Sequence, residues 1–335
     1  MLPRAHASAR ARQGRSRQRA LAPGLLLLVV ATALLLPASS SAAVRVGIGD
    51  AFAVPFGDPQ FSSLRIKRVR VVVPWNAALR RRDRATLDAW LWQARRARVE
   101  PLVHFGPTAG TRCPRPRRKC RLPSARAFRK GFRAFRKRYR WVRTIGVWNE
   151  ANHRSQPTFR RPKAAAKYFN IARRYCRGCR IVAADLIDER NMVRWLRAFR
   201  RYARGERIFG LHNYRDTNPR KGQRYGGTRR LVRAVRRVRR RQVWLTETGG
   251  IVKFVLPSRR TLFRYSERRA DRALRRTFRL ARRYRRSIKR LYIYQWRQPL
   301  AANRFDAGLT RADGSPRRAY RTLRRYLRTA TFRRR

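Results

Sequence analysis

Thr144-Ile145-Gly146-Val147-Trp148-Asn149-Glu150-Ala151-Asn152 decides how the chain folds. An apolar run with a β-branched start rises through Val147 and stops at Trp-Asn-Glu. A buried parallel strand reads this way when its carboxyl end delivers polar residues into a cleft. A core strand gains nothing from an amide beside a carboxylate, whereas a general acid that meets a neutral substrate away from water requires one. A second stretch has the same shape: Val243-Trp244-Leu245-Thr246-Glu247-Thr248-Gly249-Gly250. The two strand-end glutamates stand 97 residues apart, in a chain with only six glutamates.

Outward from these stretches, apolar strand-like runs alternate with amphipathic helical runs eight times. The second run, 69–73, carries Arg70 within it and Trp75 just past its end. The third, 99–103, delivers His104; the fourth, Asn149 and Glu150; the fifth, 181–184, ends at Asp185. The sixth, 208–211, delivers His212 and Tyr214; the seventh, Glu247; the eighth, 291–294, Gln295 and Trp296. Between them lie helical stripes such as Phe128, Phe132, Phe135 and Tyr139, or Val193, Leu196, Phe199 and Tyr202, at three- and four-residue spacing. Eight strand–helix units in strict alternation predict a closed (β/α)₈ barrel, one α/β domain over residues 44–330. An open doubly wound sheet would carry a glycine-rich phosphate loop after its first strand, and Gly47-Ile48-Gly49-Asp50 lacks the third glycine.

Residues 1–43 read as an export signal. Arg4, Arg10, Arg12, Arg15, Arg17 and Arg19 precede an apolar stretch at 25–36, and Ser41-Ala42-Ala43 offers small residues for cleavage before Val44. No later segment approaches transmembrane length, so the expected protein is secreted or cell-surface, and monomeric. Four cysteines suit an oxidising compartment. Local pairs Cys113–Cys120 and Cys176–Cys179 are favoured, with a four-thiolate zinc site as the alternative; the wide first spacing argues against zinc.

Lys and Arg number 89 against 16 Asp and Glu, a formal charge of +73 in 335 residues. Nine of the basic residues are Lys and the other 80 Arg. Codon bias and a selected polyanion-binding surface explain that skew equally well. Either predicts salt-dependent adhesion to anionic polymers such as cell-wall phosphates, without specific nucleic-acid recognition. Histidines share no helix face or strand and no acidic cluster exists, so neither metal nor cofactor is expected.

Trp148-Asn149-Glu150 closing the fourth strand and Thr246-Glu247 closing the seventh resemble the retaining (β/α)₈ glycoside hydrolases of clan A, which include cellulases, mannanases, β-xylosidases and β-galactosidases. The resemblance implies a poly- or oligosaccharide substrate, Glu150 as general acid/base and Glu247 as nucleophile. It further implies that Asn149 binds the sugar 2-hydroxyl, Arg70 lies beside the nucleophile, and His212 and Tyr214 orient it. Trp296 would be an aromatic platform under the sugar; His104 and Trp75 are further substrate-binding candidates at strand ends. Ala151 stands where many relatives have Pro, and Thr248-Gly249-Gly250 points to no one substrate family. The Glu247 anion is expected to raise the Glu150 pKa, while the positive field of the chain lowers both, placing the optimum on the acid side of neutral. The competing readings are a catalytically inert carbohydrate-binding barrel and a polyanion-binding surface protein.

Overall fold

The computed structural model describes residues 43–108, 122–220, 222–223, 225–236, 241–298 and 304–332. The expected leader, except its last residue, and the pair Cys113 and Cys120 lie outside the described residues.

The strands are β1 (Arg45–Gly49), β2 (Arg68–Pro74), β3 (Glu100–Gly106), β4 (Thr144–Gly146), β5 (Arg180–Ile187), β6 (Ile208–His212), β7 (Gln242–Thr248), β8 (Lys253–Val255), β9 (Thr261–Phe263), β10 (Ile288–Tyr294) and β11 (Phe305–Asp306). Eight of them close a parallel barrel in the order β1-β10-β7-β6-β5-β4-β3-β2, as expected. Its helices are α1 (Pro59–Ser63), α2 (Arg81–Arg96), α3 (Ala125–Arg138), α4 (Pro162–Tyr175), α5 (Met192–Arg200), α6 (Tyr214–Thr217), α7 (Gly227–Arg236), α8 (Glu267–Arg283) and α9 (Arg318–Tyr326).

Local chemistry sets these boundaries. The Ser124 hydroxyl accepts from the Ala127 amide and caps α3. The buried stripe Phe128, Phe132 and Phe135 then meets Phe105 of β3 at ring distances of 5.1–6.3 Å. Pro162 opens α4, where its missing N–H is harmless. The core has two parts, as a barrel requires. One lies between sheet and helices. The other is a plug inside the barrel made by Leu102, Val182, Ile208, Trp244 and Tyr292, with the Arg290 guanidinium 4.2 Å from the Trp244 ring.

Three features depart from the sequence reading. An antiparallel sheet in the order β11-β8-β9, its strands following β7 and β10, was not foreseen; two of its strands have three residues and one has two, too short for any periodicity to register. β4 stops at Gly146, one residue before the apolar run does. Beyond it the chain stays pinned to both neighbours: the Asn149 amide donates to the Phe105 carbonyl and the Ala151 amide to the Asp185 carbonyl, each at 2.8 Å. Finally, α5 ends at Arg200, so Tyr202 leaves the inward stripe and is 44% exposed. Cys176 and Cys179 form a disulfide. Among the described residues, no helix is long and apolar enough to cross a membrane.

Candidate active site

Above the apolar plug, two glycines make room for polar side chains. A Cβ on Gly146 would sit 1.7 Å from the His104 ring, and one on Gly210 would sit 2.0 Å from Asp185 Oδ1. His104 and Asp185 therefore turn into the barrel, where both are fully buried. Between them lies Arg70, 1% exposed, from the middle of β2. A buried guanidinium is tolerated only when its donors are matched, and here they are. Nε donates to His104 Nδ1 (3.1 Å), Nη1 to Glu247 Oε2 (2.8 Å), and Nη2 to Asn149 Oδ1 (2.7 Å) and Asp185 Oδ2 (3.2 Å).

That pattern fixes the neighbours. Arg70 can only donate, so Asn149 turns its carbonyl oxygen to it and leaves its amide NH₂ for the cleft. His104 Nδ1 must accept, so His104 is neutral; burial pushes its pKa down to about 3, and the nearby Arg70 and His212 add to the effect. His212 is the opposite case. Burial disfavours its charge, but Asp185 and Glu247 outweigh burial and carry its pKa to about 10. As an imidazolium it donates Nε2–H to Asp185 Oδ2 (3.0 Å) and Nδ1–H to Glu150 Oε1 (3.1 Å). Arg70 Nη2, 3.1 Å from the same Nε2, then faces it donor to donor, and Asp185 Oδ2 offsets that contact by accepting from both. Burial alone would raise Asp185; the His104 ring, His212 and Arg70 instead hold it well below the usual carboxylate range. Thr246 also donates to Asp185 Oδ1.

The paired glutamates face the same cleft. Glu247 Oε2 accepts from Arg70, and Oε1 accepts from the Tyr214 hydroxyl at 3.1 Å. Burial and the adjoining Glu247 anion keep Tyr214 protonated, with its pKa well above 10. Glu150 and Glu247 approach one atom, His212 Nδ1, at 3.1 and 3.8 Å, so their nearest oxygens can be no more than about 7 Å apart. Glu150 has φ +48°, a left-handed conformation uncommon for a side-chain-bearing residue. The flanking bonds from Asn149 and Ala151 impose that turn, which aims Glu150 at the cleft rather than along the strand.

The expectation for the Glu150 pKa is corrected. Burial would raise it, but the bond from His212 and the charges of His212 and His153 outweigh burial and lower it. His153, 4.0 Å from Glu150, lies at the rim, 26% exposed. Five expected site residues thus converge with the two glutamates or touch a residue that does: Arg70, His104, Asn149, His212 and Tyr214.

Two tryptophans do not join them. Trp296 is fully buried; its Nε1 donates to Asp58 Oδ2 at 2.9 Å, and its ring is wedged between Phe61 and Tyr320. It has no face left for a sugar. Trp75 packs on α3, stacked with Phe128 and lying over Gly131. Tyr294, last residue of β10, instead lies near Phe305, which also meets Tyr214, the tyrosine bonded to Glu247. Sequence reading missed Tyr294 because a strand-end tyrosine looks like any core tyrosine. Asp185 left a readable signal: it closes an apolar run, as Glu150 and Glu247 do.

No protein-family model matches this chain, and no curated protein matches it by sequence. Solved structures do. An endo-1,4-β-xylanase from Caldicellulosiruptor owensensis superposes with TM-score 0.58 at 13% identity, over 84% of this chain and 97% of that one. The chain shares its fold with glycoside hydrolases. A family 39 glycoside hydrolase from Bacteroides cellulosilyticus WH2 gives TM-score 0.58 at 13% identity, over 85% of this chain and 63% of that one. The cellopentaose complex of XacCel5A gives 0.56 at 12%, over 85% and 99%.

Proposed function

We propose that this barrel is a retaining glycoside hydrolase acting on β-linked poly- or oligosaccharides, with Glu247 as nucleophile and Glu150 as general acid/base. The observation that carries the reading is the shared imidazole: both carboxylates approach His212 Nδ1, while Arg70 and Tyr214 hold both oxygens of Glu247. A carboxylate fixed in this way is oriented to attack an anomeric carbon from one side.

In the first step a Glu247 oxygen bonds to the anomeric carbon as the glycosidic C–O bond breaks. The leaving oxygen takes a proton from Glu150. With the His212 pKa raised to about 10 that proton belongs to His212 Nδ1, 3.1 Å from Glu150 Oε1, so His212 and Glu150 hold one transferable proton in common. In the second step Glu150 accepts a proton from water, and the resulting oxygen attacks the glycosyl ester and frees Glu247. The Asn149 amide donates to a hydroxyl beside the reacting carbon, and Tyr294 supplies the aromatic surface once assigned to Trp296. The export signal in the sequence makes the exported, mature chain the working form; sequencing the amino terminus of culture-supernatant protein, expected near Val44, tests that part.

Incubation with a panel of 2,4-dinitrophenyl 2-deoxy-2-fluoro glycosides tests the chemistry. The expected result is a covalent adduct on the peptide containing Glu247, with a burst of dinitrophenolate. Absence of adduct and of turnover across the panel would leave an inert sugar-binding barrel.

A further inference from the structure

A second feature lies on the outside of the barrel, between α4 and the segment after α5. Lys163, Lys167 and Arg174 follow one another down α4 at helical spacing, Arg177 extends the row, and Arg201 and Arg204 form the opposite wall. They line a groove of about 640 Å³ to which no carboxylate contributes. The next acidic residue along the chain, Glu206, is already held by Arg200 at 3.3 Å and Arg241 at 2.7 Å. From Lys163 to Arg174 the row is about 16 Å long at 1.5 Å per residue.

The groove is built, not merely decorated. Asn170 clamps the far wall: its Oδ1 accepts from the Arg204 amide (3.1 Å) and its Nδ2 donates to the Tyr202 carbonyl (2.9 Å). Arg173 donates to the Arg204 carbonyl. Gly205 allows the turn at φ +66° and leaves room for Arg173, which a Cβ there would meet at 2.9 Å. Tyr202, thrown out of the α5 stripe, stands exposed in this groove with the Lys163 ammonium 5.1 Å from its ring. An exposed aromatic face among cations that form no ion pair with a described carboxylate offers both stacking and charge neutralisation.

We infer that this groove binds a linear anionic polysaccharide, sugar rings against Tyr202 and acidic groups along the two rows of cations, holding the barrel on a polymer whose glycosidic bonds face its cleft. The choice of polysaccharide over nucleic acid rests on the proposed glycosidase reading. The binding itself is measured without turnover, so either idea can fail alone.

The full chain would be titrated with polygalacturonate, neutral dextran and a dT20 oligonucleotide between 50 and 400 mM NaCl. Two charge-matched variants accompany it: K167Q/R174Q/R177Q/R201Q in the groove, and R272Q/R279Q/R282Q/R283Q on the exposed face of α8. All eight positions are exposed, and unchanged melting temperatures verify folding. The expected outcome is polygalacturonate binding with none to dextran. The groove variant should lose at least tenfold in affinity and show a shallower salt dependence, the α8 variant less than threefold, and Y202A severalfold. Equal losses in both variants would reduce the effect to diffuse charge and overturn the inference. So would no binding, or groove-dependent binding that is tighter for dT20 than for polygalacturonate, which would make this a nucleic-acid site.

Discussion

At the amino-terminal end of the barrel, Glu100 accepts from Arg290 at 2.8 Å and Arg180 at 3.1 Å, with Arg68 at 3.7 Å. At the carboxyl-terminal end the proportions reverse: one guanidinium, Arg70, meets Glu247 and Asp185 at 2.8 and 3.2 Å, and Glu150 is one imidazole away. A chain with 89 basic and 16 acidic residues should surround any carboxylate with arginine, and the lower cluster does just that. The upper cluster collects three of those 16 carboxylates around one arginine, against the composition. Like charges gathered at one place in a buried cleft cost stability, and such sites concentrate where chemistry is done. The lower cluster holds strands together; the upper one gathers carboxylates at the open end of the barrel.

Substitution of matching residues breaks the comparison most sharply. Glu247→Gln should lower kcat/KM by at least about 10⁴-fold in aryl glycoside assays while leaving the thermal midpoint nearly unchanged or raised, since a like charge is removed. Glu100→Gln should do the reverse. It leaves the nearly buried Arg290 without its anion and costs about 3 kcal/mol in urea unfolding, with kcat/KM within about threefold of the parent. Similar activity losses in both variants would mean that the two ends of the barrel are not different in kind.

The next effect comes from the glycines. Gly146→Ala would drive a methyl into the His104 ring, and Gly210→Ala into Asp185, removing two supports of Arg70. Each should cost about 1–3 kcal/mol from overpacking, and activity should fall about 100-fold through misplacement of Glu247. Gly57, where a Cβ would meet nothing within 4 Å, is the control, and Gly57→Ala should change neither. Intact activity in G146A would show that His104 is not what positions Arg70.

These glycines also mark how far the sequence could be read. The eight-fold alternation and the strand-end glutamates stand out because a buried strand must be apolar and its open end need not be; Arg70 stands out because an arginine inside an apolar run needs an acid opposite. What stayed hidden depends on the partner strand. Nothing along 208–212 says that Gly210 is small because Asp185 of β5 lies over it, and nothing in the run at 291–296 says which aromatic turns inward. Tyr294 and Trp296 share an alternation parity, yet Asp58, some 240 residues earlier, captures the Trp296 indole, and Phe61 and Tyr320 enclose its ring. The Glu150 pKa failed for the same reason: its neighbour in the sequence argument was Glu247, whereas its hydrogen-bond partner in space is His212.

The smallest effect distinguishes the two buried histidines. His104, with its pKa lowered to about 3, stays neutral in the folded state while the unfolded chain takes up a proton below pH 6.5, so it withdraws stability as pH falls from about 6.5 toward 3. Asp185, held low, loses its contribution in the same direction as pH drops below about 4. His212 works the other way. With its pKa raised to about 10, its contribution is complete below pH 6.5 and drains away as pH rises from about 6.5 to 10. Burial also raises the pKa of Asp50 to about 6 and that of Asp188 to about 8, so both carboxyls withdraw stability as pH rises above about 4 and offset the gain from His104. The urea midpoint should therefore fall most steeply between about pH 6.5 and 8, where His212 and Asp188 act together. His212→Gln should remove the loss between about pH 8 and 10 and make the alkaline limb shallower below 8, where the Asp188 contribution remains. An alkaline limb unchanged in that variant would mean that His212 is neutral in the native protein, and the proton shared with Glu150 would have to be placed on the carboxyl instead.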